Sequence, residues 1–237
     1  MRLKVAEMLD KLHVIIDDVR RTDGEDDFSE DKDTELREAL LTGADQLVSE
    51  APIDKLLPQR VTASLGNVQD YDAIQQEFTD GHGSLIVPGD FCRLGELKLK
   101  SWSQTLRYLL PPDSDGARMQ ACRWTRGTPQ KPAALLSTDP TGNRIILYWT
   151  AGRYQYPNGE AMTQVYDHKI EKFTYIPLPR IEEEKTVQDG KTTTTEYLII
   201  ALTDDCEKPL LYSAAGIFME SKKESTLADR MYNLSKL

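Results

Sequence analysis

Three side chains of the types used in nucleophilic catalysis fall close together at His82, Ser84 and Asp90. A base, a hydroxyl and an orienting carboxylate are what acyl transfer needs. Their spacing does not suit the task. Ser84 lies in Asp80-Gly81-His82-Gly83-Ser84, without the G-x-S-x-G turn that presents a nucleophile. The segment reads as a Gly-rich turn leading into a strand. His13 reads as a boundary residue of a helix and His168 as a polar strand end, and no H-E-x-x-H or similar ligand set occurs. Cys92, Cys122 and Cys206 contain no C-x2-C pair and are odd in number. They predict buried or incidental thiols in a reducing compartment, not a disulfide framework. The acidic run at 23–33 lacks the D-x-D-x-D-G register of a calcium loop. It reads as an exposed loop, with docking of a basic partner as its functional use. Gly81, Gly83 and Gly89 are too dispersed to cradle phosphates. No enzyme activity, cofactor or metal is therefore expected.

The stretch richest in binding chemistry is Arg118-Met119-Gln120-Ala121-Cys122-Arg123-Trp124-Thr125-Arg126-Gly127-Thr128-Pro129-Gln130-Lys131-Pro132. Arginine beside an aromatic grips phosphates or bases. Arginine and tryptophan are equally the anchors of protein interfaces. A surface loop whose Trp plugs the core is the third reading, and the sequence leaves all three open. Trp102, Trp124, Trp149, Tyr154 and Tyr156 define a rival function, a platform binding a glycan or peptide in a soluble β-rich module.

The 237 residues carry 29 Lys+Arg against 39 Asp+Glu, a net charge of −10. That length suits one large domain, or a domain and a smaller piece. An acidic chain is a poor non-specific DNA coat. The start, Met1-Arg2-Leu3-Lys4, has no signal-peptide apolar region. The longest apolar runs, Ile145–Trp149 and Tyr197–Leu202, fall far short of the roughly 20 residues of a membrane span. The charge is uneven. Residues 1–58 sum to −8, while residues 91–131 sum to +5.

Periodicity supplies the elements. Leu3, Ala6, Leu9, Leu12, Ile16 and Val19 predict a first helix ending near Thr22. A second starts at Asp33 or Thr34, carries Leu36, Leu40, Leu47 and Val48, and ends at Pro52. Its Gly43 would let another backbone approach. Ile53–Leu57 reads as one more helical turn. After Pro58, short strands alternate with turns: Val61, Ser84–Val87, Phe91–Lys100, Thr105–Leu110, Ala133–Leu136, Arg144–Thr150, Thr163–Tyr166, Phe173–Ile176 and Tyr197–Leu202. Thr138–Asn143 is a hairpin turn, Ser114–Cys122 a helical excursion, and Lys185–Thr195 a long exposed hairpin tip. Helical spacing returns after an Asp204 or Asp205 cap, with Leu210, Leu211, Ala214, Ala215, Ile217 and Phe218. Ala214-Ala215-Gly216 suits close packing. Leu227, Met231, Leu234 and Leu237 define a last short helix. The expected class is α+β: a small helical bundle from residues 1–58 and 204–237, with a β-rich insertion at 59–203.

Ile86-Val87-Pro88-Gly89-Asp90-Phe91-Cys92-Arg93-Leu94 resembles the hydrophobic-Pro-x-Asp-Phe-x-Arg-Leu segment of tailed-phage adaptor proteins. Leu97–Trp102 and Arg126–Pro132 are similar to segments of such proteins in crAss-like phages. Leu211–Phe218 followed by Ala228–Tyr232 resembles their C-terminal helical hairpin. The resemblance spans most of the chain but carries no catalytic signature, and Lys185–Thr195 matches least. It implies a structural virion protein in the phage neck, made in the bacterial host cytoplasm. Such proteins form a head–tail connector ring, usually of twelve copies, below the portal. The implied partners are further copies of the chain, the portal protein and the next tail ring, with viral DNA passing through the lumen without specific binding. On this reading Arg118, Arg123, Trp124 and Arg126 are interface residues. Leu227, Met231, Tyr232 and Leu234 dock the last helix on the portal.

Overall fold

The computed structural model describes residues 1–21, 32–52, 54–56, 61–62, 78–79, 82–122, 124–149, 154–155, 161–162, 170–188 and 191–236. The fold is mixed α+β. In chain order the elements are β1 (Arg2–Lys4), α1 (Val5–Arg21), α2 (Asp33–Glu50), β2 (Val61–Thr62), β3 (Phe78–Thr79), β4 (His82–Ile86), β5 (Phe91–Leu99), α3 (Asp115–Met119), β6 (Ala133–Thr138), β7 (Arg144–Trp149), β8 (Tyr154–Gln155), β9 (Ala161–Met162), β10 (Ile170–Pro177), β11 (Arg180–Gln188), β12 (Lys191–Ile199), α4 (Glu207–Ser221) and α5 (Ser225–Ser235). They fall into two compact units, Met1–Gln59 with Pro177–Leu237, and Arg60–Ile176.

The first unit packs α4 against α2, α5 and α1. Leu36, Leu40, Leu47 and Val48 of α2 are buried as their spacing predicts, facing a core that includes Leu210, Ala214 and Phe218 of α4. The small residues bring the two helices unusually close. A Cβ on Gly43 would lie 3.4 Å from the Ser213 hydroxyl and nearer still to the Ala214 backbone. Asp33 does not cap α2. Lys32 holds the cap position without a side-chain capping hydrogen bond, and His13 donates from Nε2 to Asp33 at 2.8 Å. Asp33 and Glu35 instead lie in the first turn, where the helix dipole favours negative charge.

Three expectations for this unit are corrected. The α1 stripe is Val5, Met8, Leu12 and Ile16; Ala6 is exposed and Leu9 half-buried. The register moves because residues 2–4 form a strand, pairing Arg2 with Ile199 and Lys4 with Tyr197, before the helix begins. Leu56 makes an antiparallel bridge to Leu202 where a helical turn was predicted. The hairpin β11–β12, placed by the sequence in the 59–203 insertion, belongs to the helical unit. Its anchor is the β1 pairing, which buries Leu198 and Ile200 beside Met1.

The second unit holds a separate core of Leu85, Phe91, Leu97, Leu99, Trp102, Ile146, Tyr148, Phe173 and Tyr175, among others. Two sheets bracket it, ordered β2-β10-β5 and β3-β4-β7-β6. Phe91 stacks on Tyr175 at 5.8 Å between centroids, and Trp102 meets Tyr148 edge-on at 5.9 Å. Glu96 is buried and paired with Lys172 and, at 3.4 Å, with Arg107. The β6–β7 turn is built by Asp139, which accepts from the Thr141 and Asn143 nitrogens, both at 2.8 Å. Thr105–Leu110 forms no strand; isolated bridges tie Leu106 to Leu97 and Leu110 to Leu135. Thr163–Tyr166 and most of the acidic run at 23–33 lie outside the described residues.

Candidate interaction surface

The segment around α3 closes on itself. The Ser114 side chain accepts from Ala117 N at 3.2 Å, capping the short helix, and donates to Pro111 O at 2.7 Å. Gln120 is buried and works at both ends of its amide. Its Nε2 donates to Gly116 O at 2.9 Å, and its Oε1 accepts from Gly127 N at 2.7 Å. The Thr125 hydroxyl donates to Met119 O at 2.6 Å. These bonds tie residues 114–122 to residues 124–127 as a knob with the Gln120 amide turned inward.

What the knob turns outward is apolar and basic. Trp124 is 90% exposed, and Met119 is 55% exposed. Burying an indole removes roughly 150–250 Å² from water, worth on the order of 4–6 kcal/mol at 25 cal/mol/Å². That gain is unrealised within this chain. Arg118 is largely exposed and pairs at 3.4 Å with the equally exposed Asp115. Arg126 is half-buried, and Arg123 lies outside the described residues. Trp124 is therefore no core plug. Cys122 is also exposed, and hydrogen bonds from the Trp124 backbone and the Thr125 side chain hold its thiol below the usual range. Cys92 is half-buried and Cys206 buried, and none of the three cysteines is in a disulfide.

The four predicted docking residues of α5 separate. Met231 is a core side chain, 1% exposed. Leu227 and Tyr232 are half-buried. The Tyr232 hydroxyl donates to Glu220 at 2.7 Å. Burial, then that bond, pushes its pKa up to about 12. Leu234 alone of the four is exposed, at 50%. Helical spacing marks the buried side of α5, so it selected the residues that face α4.

Sequence reasoning missed an apolar groove of about 380 Å³ between α1 and α4, lined by Val14, Ile15, Leu211 and Tyr212 and rimmed by Asp10, Lys11 and Lys208. Val14 fell outside the chosen stripe, and its exposure, 60%, is a property of the fold that the sequence does not carry. Of the residues read as a glycan or peptide platform, Trp102 is 3% exposed, in the core, Trp124 is exposed and Trp149 half-buried, while Tyr156 and the Tyr154 side chain lie outside what the structure describes. The Asp90 carboxylate accepts from the Tyr175 hydroxyl at 2.9 Å, a structural tie at the start of β5. No helix among the described residues is long and apolar enough to cross a membrane. Neither the protein-family models nor the curated proteins contain a match to this chain.

Proposed function

We propose that this chain is a structural virion protein whose copies join in a head–tail connector ring below the portal, extending the DNA channel and carrying the next tail ring. The observation that carries the reading is Trp124, an indole held 90% exposed on a rigid, basic knob. Large exposed apolar groups rimmed by polar ones mark interaction sites. Charge supports the same view. The helical unit has 27 acidic and 16 basic residues, a net of −11, while the β-rich unit is +1. A basic knob on one copy complements an acidic helical unit on the next, and such heterologous contacts close into rings. An acidic wall also suits a channel through which DNA must slide, because it binds no phosphates. The resemblance of Ile86–Leu94 and of the α4–α5 hairpin to adaptor proteins supplies the virion context.

Native mass spectrometry of the purified chain, with negative-stain microscopy of assembled particles, tests the proposal. A closed oligomer that lies at the particle neck is the expected result. A chain absent from the neck refutes it. For portal docking, Leu234→Asp is a cleaner probe than removing residues 225–237, since truncation also removes the core residues Ala228 and Met231.

A further inference from the structure

Part of the β11–β12 hairpin pairs with no further strand among the described residues. β1 pairs with β12 only at Tyr197–Ile199, while β11 and β12 stay paired out to Gln188 and Lys191. Residues 182–186 and 192–194 are exposed. At 3.4 Å per residue, the six positions of β12 beyond β1 reach about 20 Å. A lone two-stranded ribbon is marginal in water, and this one has glutamates and threonines where an apolar face would be.

The direction of its free hydrogen bonds follows from one pair. Ile200 donates to Met1 O at 3.2 Å and accepts from the Met1 amino group at 2.9 Å, both on the β1 side. Bonding direction alternates along an antiparallel strand. Thr194 and Thr192 therefore turn their backbone groups to that same side, where no strand pairs among the described residues. By the same alternation, Glu183 and Lys185 aim theirs away from β12, at the outer edge of β11. The two edges differ in charge. β11 carries Glu182-Glu183-Glu184-Lys185, whereas Thr192–Thr195 is uncharged. Charge and proline are how natural edges block strand addition, and Thr192–Thr195 has neither. Two β11 edges together set Glu against Glu, which is unfavourable; β11 against the threonines is not.

We infer that the β12 edge at Thr192–Thr195 receives the β11 edge of a second copy of this chain, head to tail. The inference rests on the ring reading and names its contact. Hairpins set side by side run antiparallel at the junction, as this requires. A register two residues off the hairpin's own places Glu183 opposite Thr194 and Lys185 opposite Thr192. It also keeps Glu183 away from the neighbour's Glu196, the residue it already faces within its own hairpin. Each copy has one edge of each kind, so the contact uses both edges and is complete only when the ring closes. Beyond β1, the resulting crown leaves neither β11 nor β12 with a free edge, the solution a closed barrel uses.

The test is crosslinking between variants that each add one cysteine to a Cys92→Ser, Cys122→Ser background, in which the buried Cys206 is the native thiol left. Glu184 and Thr193 become a non-hydrogen-bonded pair across the junction, with Cα atoms about 4.5 Å apart, inside disulfide reach. Glu184→Cys and Thr193→Cys proteins, mixed and mildly oxidised, should give a linked dimer that neither gives alone. A dimer from Thr193→Cys alone shows two-fold β12 pairing, and one from Glu184→Cys alone shows β11 pairing; either overturns the inference. No link in the mixture, while the unmodified chain forms a closed oligomer, sinks the inference and spares the ring. A chain that stays monomeric sinks both. As a second reading, Thr194→Pro removes an outward N–H that the hairpin does not use, a place where strands tolerate proline. It should weaken assembly at least tenfold with an unchanged circular dichroism spectrum, and Thr194→Val should not.

Discussion

Gly43 of α2 and Ala214 of α4 meet backbone to backbone: a Cβ on Gly43 would stand 3.0 Å from the Ala214 nitrogen and 3.3 Å from its Cα. Neither atom can swing aside, because both belong to a helix main chain. Alanine at position 43 gains up to about 1 kcal/mol of helix propensity, but the helices must part by a few tenths of an ångström along a contact that buries Leu40, Ala44 and Leu47. Gly43→Ala is expected to lower stability despite the better propensity. Gly43→Leu should cost about 3 kcal/mol, the upper range for overpacking. Urea unfolding checks both, and a stabilised Gly43→Ala refutes the close-contact argument.

Trp124 separates folding from assembly. With 90% of the residue in water, Trp124→Ala should change stability by less than about 0.5 kcal/mol. As an interface anchor its loss should cost at least about 2 kcal/mol of association, some 30-fold in affinity. Thermal melting and sedimentation velocity on the same samples read the two effects apart. A large drop in melting temperature would mean that the knob needs the indole to fold.

The helical bundle was legible because its signals are local. The α2 stripe, Gly43 and Ala214-Ala215-Gly216 each lie within one helix, and the close approach they predict is the one found. The α1 register was not legible, because it depends on Arg2 pairing with Ile199, 197 positions away. The same pairing assigns the β11–β12 hairpin to the helical unit, and no composition shift near Pro177 announces it. Trp124 was ambiguous for a different reason. Whether an indole in a basic loop turns in or out is settled by the Gln120 bonds to Gly116 and Gly127, and a buried glutamine looks like any other in the sequence. Met231 was misjudged because a helical stripe marks what is buried, whereas a docking surface is what the stripe leaves out.

The β6–β7 turn should be acid-sensitive. Asp139 accepts from the Thr141 hydroxyl at 2.7 Å, from Asn143 Nδ2 at 3.0 Å and from two backbone nitrogens. These bonds, the Thr141 side chain's first, hold its carboxyl below the ordinary value of 3.8. A carboxylate depressed in the folded state contributes stability above its unfolded pKa and loses it as the pH falls through the folded one. Asp139→Ala should thus be less stable than the parent at pH 7, with the difference shrinking as the pH falls below the ordinary 3.8 and through the depressed folded value. In the same turn Gly142 has φ of 92°, so Gly142→Ala should cost about 1–2 kcal/mol, and this cost should not vary with pH.

Tyr232 gives the opposite dependence at the alkaline end. Its ring lies against Gly216, with the Cε1 atom 2.9 Å from where a Cβ would stand, and its hydroxyl bonds Glu220. Its pKa, about 12, lies above the ordinary 10. A group whose folded pKa is raised contributes stability that is complete below the unfolded pKa and is lost as the pH rises through the folded one. The α4–α5 hairpin should therefore weaken between about pH 10 and pH 12. Tyr232→Phe removes the titration. At pH 8 it should cost only about 1 kcal/mol, since Glu220 is exposed and rehydrates. Above pH 10 its urea midpoint should fall less steeply than the parent's, and the absorbance rise at 295 nm should lose its most alkaline component. Parallel slopes for the two proteins would show that the Tyr232–Glu220 bond does not hold the tyrosine protonated.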